Sequence, residues 1–289
     1  MTATTSNLIK LLSIKGIGQR TARQLIPPSN ISSDNELVEF LLGQNSKTPR
    51  LKLTKIIIKS GIEKATRIMS KSSDLGISFI DFNSPKYPEL LRAITNAPLV
   101  LSYRGEVGIL NNKCVAVIGT RNPSYMGLKS AYNLGGYLAE IGAIVVSGLA
   151  RGIDSSAHLG CLAMKGKTIA VLGNGLDTVY PSENKTLANR ILDDGGLIIT
   201  ESFVKEKASA GSLLLRNQLL VGLSTHVIVV ETGVKGGTIY TANLGIKAGR
   251  KIACLAYHNN DNIGNIKLLK NPKVTALHNY KSLAQFLKA

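Results

Sequence analysis

Residues 115–127 read VAVIGTRNPSYMG, from Val115 to Gly127. A short continuous apolar run ends in a glycine, a hydroxyl residue and an arginine, and then turns through Pro123 and Gly127 into a helical pattern. That is the signature of a buried strand closing in a polar crook. In an open α/β sheet, ligands sit just outside the carboxyl ends of the strands. Gly119, Thr120 and Arg121 are therefore the first place to look for function, and the question is which anion Arg121 meets.

Outward from the crook, strand and helix patterns alternate with glycine-rich turns. Strands are expected at Cys114–Ile118, Ala143–Ser147, Thr168–Leu172, Leu197–Thr200, His226–Val230 and Lys251–Leu255. Helices are expected near Leu128–Ile141, Ser155–Met164, Asn184–Leu192, Leu214–Leu223 and Thr238–Ala248. Continuous apolar strands separated by helices mean a mostly parallel sheet covered on both faces. The fold class is α/β, extended and Rossmann-like, with no internal repeat.

Upstream, LIKLLSIKGIGQRTARQL (residues 8–25) reads as a helix, a tight turn at Gly16–Ile17–Gly18, and a second helix. Its exposed N–H groups, with Arg20 and Arg23, suit a phosphate and resemble a helix-hairpin-helix DNA contact; the plainer reading is a turn in a small helical bundle. The pattern continues to residue 76, broken at Pro27–Pro28 and Pro49, with basic Lys47, Arg50, Lys52, Lys55 and Lys59 clustered there. The expected division is a small helical domain of helix-hairpin-helix or SAM-like kind (1–76), a connector packed on the core (77–110), and the extended Rossmann-like domain (111–289). The connector holds too many apolar and aromatic residues for a solvated linker.

Composition narrows the function. Thirty-five Lys+Arg against 18 Asp+Glu give a net charge of +17. Residues 1–106 carry net +7 and the remainder net +10, so the excess belongs to the folded body and favours a polyanionic partner. No apolar run suits a membrane span, and no signal peptide is read at the N-terminus, so a cytoplasmic protein is expected. Cys114, Cys161 and Cys254 are scattered in apolar surroundings, which reads as buried free thiols rather than a metal site.

Five strand-end turns carry the polar residues. They are Gly119–Thr120–Arg121; Ser147–Gly148–Leu149–Ala150–Arg151–Gly152–Ile153–Asp154; Gly173–Asn174–Gly175–Leu176–Asp177; Glu201–Ser202; and Glu231–Thr232–Gly233 leading to Lys235–Gly236–Gly237–Thr238. Glycines let the backbone approach a ligand, and each helix start is a phosphate seat. Asp154 also reads as a helix N-cap, and His158, with no nucleophile at motif spacing, as a capping or core-edge histidine.

These turns resemble the DNA-processing protein A family, also called DprA or Smf. The connector fits its entry segment through Tyr87, Pro88, Leu90, Leu91, Ala97, Pro98, Leu101 and Gly105. The crook, the SGLARGID block with His158, TIAVLGNGLDTVYPSEN from Thr168, Arg216–Asn217 before Gly222–Leu223–Ser224, and Ala248–Gly249–Arg250 complete the match. The resemblance implies a non-catalytic protein that binds single-stranded DNA, dimerises, and loads recombinase onto that strand during uptake, as in natural transformation and competence, or homologous recombination. It implies no cofactor.

The DNA- and phosphate-binding set expected is Gly119, Thr120, Arg121, Ser147, Gly148, Arg151, Gly173, Asn184, Lys185, Arg216, Asn217, Lys235, Gly236, Gly237 and Thr238, with Gly16, Gly18, Arg20 and Arg23 as a secondary contact. Lys167 is a further basic neighbour.

The sequence departs from the family pattern at Ser182, where a basic residue is common, at Leu214–Leu215 in place of Phe-Pro, at Gly236–Gly237, and at Tyr257–His258. It ends at SLAQFLKA with no winged-helix domain following, so a divergent member is expected. The competing reading is a nucleotide or nucleoside hydrolase of the lysine-decarboxylase-like group, whose glycine turn precedes a glutamate. Here Ile239, Tyr240 and Thr241 follow the turn. A dinucleotide oxidoreductase lacks its GxGxxG turn, and Ser147 stands where its acidic residue belongs.

Overall fold

The computed structural model describes residues 1–45, 51–257 and 262–288; Lys47, Pro49, Arg50 and His258 lie outside them. Four helices open the chain, α1 (Ala3–Ser13), α2 (Gln19–Gln24), α3 (Asp34–Gly43) and α4 (Lys55–Asp74), followed by β1 (Ser78–Asp81), α5 (Glu89–Arg92) and β2 (Val100–Gly105). Then β3 (Cys114–Ile118), α6 (Tyr125–Glu140), β4 (Ile144–Ser147), α7 (Ile153–Ala163), β5 (Thr168–Val171), α8 (Lys185–Asp193) and β6 (Leu197–Thr200) alternate. The chain continues through α9 (Ala210–Leu223), β7 (His226–Val229), α10 (Gly237–Lys247), β8 (Lys251–Leu255), α11 (Ile263–Leu269), β9 (Val274–Leu277) and α12 (Tyr280–Lys288).

Local chemistry sets where the helices begin. Ser124 Oγ accepts the Gly127 N–H, which starts α6 three residues ahead of the apolar periodicity. Ser209 and Ser212 form a reciprocal capping box that starts α9 at Ala210, ahead of the Leu214 expected from pattern alone.

The nine strands form one sheet in the order β1-β2-β6-β5-β4-β3-β7-β8-β9. β1 pairs antiparallel with β2, and β2 antiparallel with β6, while the other pairs are parallel. The connector therefore enters the sheet as two strands. Its period was too short to announce them, and their burial comes from pairing with β6. The order reverses between β3 and β7, where Val117 lies opposite Ile228. That reversal opens a crevice at the carboxyl edge, between the crook and the turn after β7.

Both faces of the sheet are covered. One packs against α6, α7 and α12 through Val115, Val117, Leu138, Ile153 and Phe286. The other packs against α5, α9, α10 and α11 through Ala116, Val146, Leu91, Leu220 and Leu268. A third cluster joins α1–α4 to the ends of β4 and β5, with Leu8, Leu41 and Ile58 alongside Leu149, Leu172 and Phe203. Each fully buried aliphatic side chain contributes about 1.5–3 kcal/mol. Cys114, Cys161 and Cys254 are buried free thiols, and burial pushes each up to about 12. No helix among the described residues is long and apolar enough to cross a membrane.

Arg250 anchors the connector: its Nε donates to Val221 O at 3.2 Å and its Nη2 to Leu90 O at 2.7 Å. Tyr87, fully buried, donates its hydroxyl to Pro98 O at 2.7 Å.

Candidate nucleic-acid interface

The crook forms as β3 runs out of sheet partners. Thr120 N–H donates to Glu231 O at 2.8 Å, and Ile153 N–H donates to Thr120 O at 3.3 Å, so the loop is held between β7 and α7. A Cβ on Gly119 would collide with the Ile153 side chain, so only glycine fits there. Arg121 is exposed at the loop's tip, and among the described residues no carboxylate or carbonyl partners its guanidinium.

Beside it lies a buried cation. Arg216, on α9, is 8% exposed, and its Nη1 stands 3.6 Å from Asp154 Oδ2. The guanidinium presses on Gly148 where any side chain would sit. Burial pulls Arg216 below its ordinary value; Asp154 opposes the fall and Arg121 adds to it. Burial likewise raises Asp154, against the pull of Arg216 and of its backbone donors. Asp154 is thus engaged by Arg216, and the nearby Arg121 guanidinium is left without a carboxylate among the described residues.

Asp154 is not the N-cap expected of it. Gly152, with φ +77°, occupies that position, and Asp154 Oδ2 accepts N–H groups from Gly148 at 3.1 Å and Ala150 at 3.4 Å. Between those two, buried Leu149 is held at φ +55°, a strained backbone for a branched residue. Asn184 Nδ2 donates to Leu149 O at 2.8 Å, fastening the loop from the α8 side. Asn184 therefore braces the site.

Other expected residues are turned to structural work. Ser147 is fully buried and donates its hydroxyl to Val117 O at 2.6 Å, facing the sheet and not a ligand. Gly173 packs against the first turn of α9, where a Cβ would sit 3.0 Å from Leu213 Cδ2. Exposed Arg151 is taken by Glu183, Nη2 to Oε2 at 2.8 Å with a second contact from Nε, so it is not a free cation. Glu183 directly follows Ser182, the one position where the family pattern is commonly basic, and an acidic residue beside it was the available signal for this pairing. Lys167 precedes β5 and so lies at the opposite edge of the parallel sheet from the crook.

Lys185, exposed, opens α8, and Lys235, also exposed, precedes the turn into α10. Gly236, at φ +124°, forms that turn with no side-chain cap, which leaves the first N–H groups of α10, from Gly237 and Thr238, without a partner among the described residues. Asn217 reaches this turn: its Nδ2 is 4.0 Å from where a Gly237 Cβ would stand. The α6 start is different. Glu231 accepts the Ser124 N–H at 3.1 and 3.2 Å and the Ser124 hydroxyl at 2.8 Å, filling that seat with a carboxylate. The acidic residue ending β7 was visible in the sequence, but its partner 107 residues away was not.

His158 is fully buried. Its Nδ1 lies 2.7 Å from Thr168 Oγ1, which itself donates to Val145 O. Burial and Arg216 lower it to about 3, so it stays neutral.

At the second expected contact, Gly16 takes φ +87° and Gly18 begins α2 without a side-chain cap. Arg20 is exposed, but Arg23 is engaged. It donates to Ala97 O and lies 4.9 Å over the Phe82 ring, bracing the helical segment against the connector.

A sequence model of the family described as DNA recombination-mediator protein A matches residues 78–288. The chain is 38% identical over 181 residues to Protein Smf of Synechocystis, covering 61% of this chain and 45% of that one. It is 37% identical over 176 residues to Protein Smf of Escherichia coli, with 61% and 47% covered. Identity is 32% over 190 residues to DNA processing protein DprA of Bacillus subtilis, with 65% and 64% covered. The matches thus span less than two thirds of each relative's length.

DNA processing protein A from Streptococcus pneumoniae has the same fold, with TM-score 0.78 at 24% identity, covering 99% of this chain and 98% of that one. DNA processing protein A from Helicobacter pylori, solved for its single-stranded DNA binding mode, superposes with TM-score 0.67 at 29% identity, covering 73% and 95%.

Proposed function

The chain belongs to the DNA recombination-mediator protein A family, and from that premise we propose that it binds single-stranded DNA by its phosphates along the carboxyl edge of the sheet. The observation that carries this reading is Arg121: a guanidinium exposed and, among the described residues, unpaired, beside a second, buried one whose carboxylate partner is Asp154. A planar guanidinium meets a phosphate with two parallel hydrogen bonds. The track runs from Arg121 toward Lys185 on one side and toward Lys235 and the open start of α10 on the other. Lys185 supports the reading, since a cation at a helix N-terminus is disfavoured by the dipole until an anion joins it. The H. pylori relative's binding of single strands adds to it.

On this reading the protein is a non-catalytic DNA-binding protein of the cytoplasm that protects single strands and presents them to a recombinase during uptake or recombination. The three-part division at residues 76 and 110 belongs to the same proposal, with exposed Gly18 and Arg20 as a minor contact. Homodimerisation fits the open sheet edge at β9, beside which α11 exposes Ile263 and Ile266.

Fluorescence anisotropy with single-stranded and duplex oligonucleotides over a salt series tests the proposal. Binding should favour the single strand and fall steeply with salt. Arg121→Ala should weaken it about tenfold and reduce the log–log salt slope by about 0.7, one single-strand phosphate contact. Equal affinity for both substrates, or an Arg121→Ala protein that binds like the parent, sinks it.

A further inference from the structure

We propose that the cleft between α6 and the ends of β8 and β9 is a seat for an amino-bearing nucleobase, adenine in the first place, next to the phosphate track. The proposal rests on the single-strand reading above and deepens it. The cleft measures about 510 Å³, a size typical of small-ligand sites. Met126, Leu134, Leu255, Leu277 and Leu283 form its apolar walls, and Tyr280 stands at the rim with its ring 5.3 Å from that of Tyr137. Bases stack on such exposed rings whatever their sequence.

The charge of the cleft is opposite to that of the crook. Among the described residues no lysine or arginine lines it, and its one carboxylate is Glu231. A phosphate gains nothing there. A base edge does, because carboxylates accept from exocyclic amines and asparagine amides pair with adenine. Glu231 Oε2 takes both the Ser124 N–H and the Ser124 hydroxyl, but Oε1, which shares only the N–H, has room for a second donor. The Asn133 amide, on the exposed side of α6, has no partner among the described residues. Among the described residues the buried Tyr257 hydroxyl makes no full hydrogen bond and has only Ser130 close by, so an entering polar edge would gain a partner there.

The cleft also adjoins the crook. Ser124 lines it and lies three residues from Arg121 in the same loop, so their Cα atoms are at most about 11 Å apart. Glu231 fastens that loop from below through Thr120 and Ser124. A strand whose phosphate sits on Arg121 has a neighbouring base within reach of the cleft.

The test compares oligodeoxyadenylate with oligothymidylate binding in the full chain, alongside Ser130→Trp, which fills the cleft, and Asn133→Ala, an exposed change that leaves packing intact. The parent should prefer the adenylate about tenfold, the scale of one base-edge contact. Both variants should lose that preference while keeping the salt slope, and Arg121→Ala should weaken both oligonucleotides and keep the preference. Equal parental affinities, or a preference that survives in both variants, overturns the proposal.

A thermal-shift titration with adenosine separates the source of the base from the fate of the single-strand reading. Stabilisation of the parent but not of Asn133→Ala supports the cleft as a seat for a free nucleoside even if neither oligonucleotide binds. Failure of adenosine and of both oligonucleotides overturns cleft and DNA reading together.

Discussion

Arg216 and Asp154 form a buried ion pair that carries the floor of the crook, Nη1 to Oδ2 at 3.6 Å with each side chain less than a tenth exposed. Taking two charges out of water costs several kcal/mol each, which their attraction and added hydrogen bonds only offset. Asp154 has those added bonds, from the Gly148 and Ala150 N–H groups, whereas Arg216 Nε has none among the described residues. The pair stabilises the fold weakly and fixes where positive charge is presented.

Removing one partner is therefore expected to be worse than removing both. Asp154→Asn leaves a buried guanidinium uncompensated and should cost about 3–5 kcal/mol in urea unfolding. The double variant Asp154→Leu/Arg216→Met should recover most of that stability, yet bind single-stranded DNA more weakly than the parent for want of the second guanidinium. A double variant with unaltered binding refutes a role for Arg216 in presenting charge.

Glu183 holds the Arg151 guanidinium, which the proposed DNA track would otherwise find open. The pair is exposed, so its own contribution to stability is at most about 1 kcal/mol. Glu183→Gln should leave the melting temperature unchanged and free Arg151 for a phosphate, tightening single-strand binding a few-fold at low salt and steepening the salt slope by about 0.7. The measurement is the same anisotropy series; an unchanged slope means Arg151 lies off the track.

How much of this was legible beforehand follows from what kind of contact carries each feature. The parallel strands from Cys114 to Leu255 were readable because both of their faces are buried, which writes a continuous apolar run into the sequence. β1 and β2 were not, since four to six residues among prolines acquire their strand character from pairing, as Ser102 does with Thr200. At the site, the glycines and Arg121 announced themselves as a local pattern. Ser147 facing Val117, Arg151 held by Glu183, and Arg216 under Gly148 depend on partners 30 to 68 residues away, which spacing along the chain does not encode.

Arg23 separates a structural arginine from a DNA contact. It donates to Ala97 O and lies over Phe82, on which Arg92 also stacks at 5.1 Å. Arg23→Ala should lower stability by about 1–3 kcal/mol through the lost carbonyl partner and ring contact, with no change in the salt slope of DNA binding. Arg20→Ala, at an exposed position three residues before that brace on the same helix, should do the reverse if the glycine turn meets DNA. Thermal unfolding and anisotropy on both proteins decide between the two roles.

Glu201, directly after β6, gives a pH signature. Its Oε1 is buried without a hydrogen-bond partner among the described residues, and burial first, then Glu206, raises the carboxyl from 4.5 to about 7. The folded protein therefore holds a proton that the unfolded chain releases near 4.5, so this group's stabilisation is complete below that pH and is lost as pH rises through about 7. The interval corresponds to about 3 kcal/mol. Glu201→Gln cannot ionise, so it should match the parent near pH 4.5 and be more stable by up to about 3 kcal/mol at pH 8. His158 and His226, lowered to about 3 and about 4, weaken both proteins toward acid and cancel in the difference. Urea unfolding of the two proteins from pH 4.5 to 8 measures it, and a stability gap that stays constant across that range refutes a protonated Glu201 in the fold.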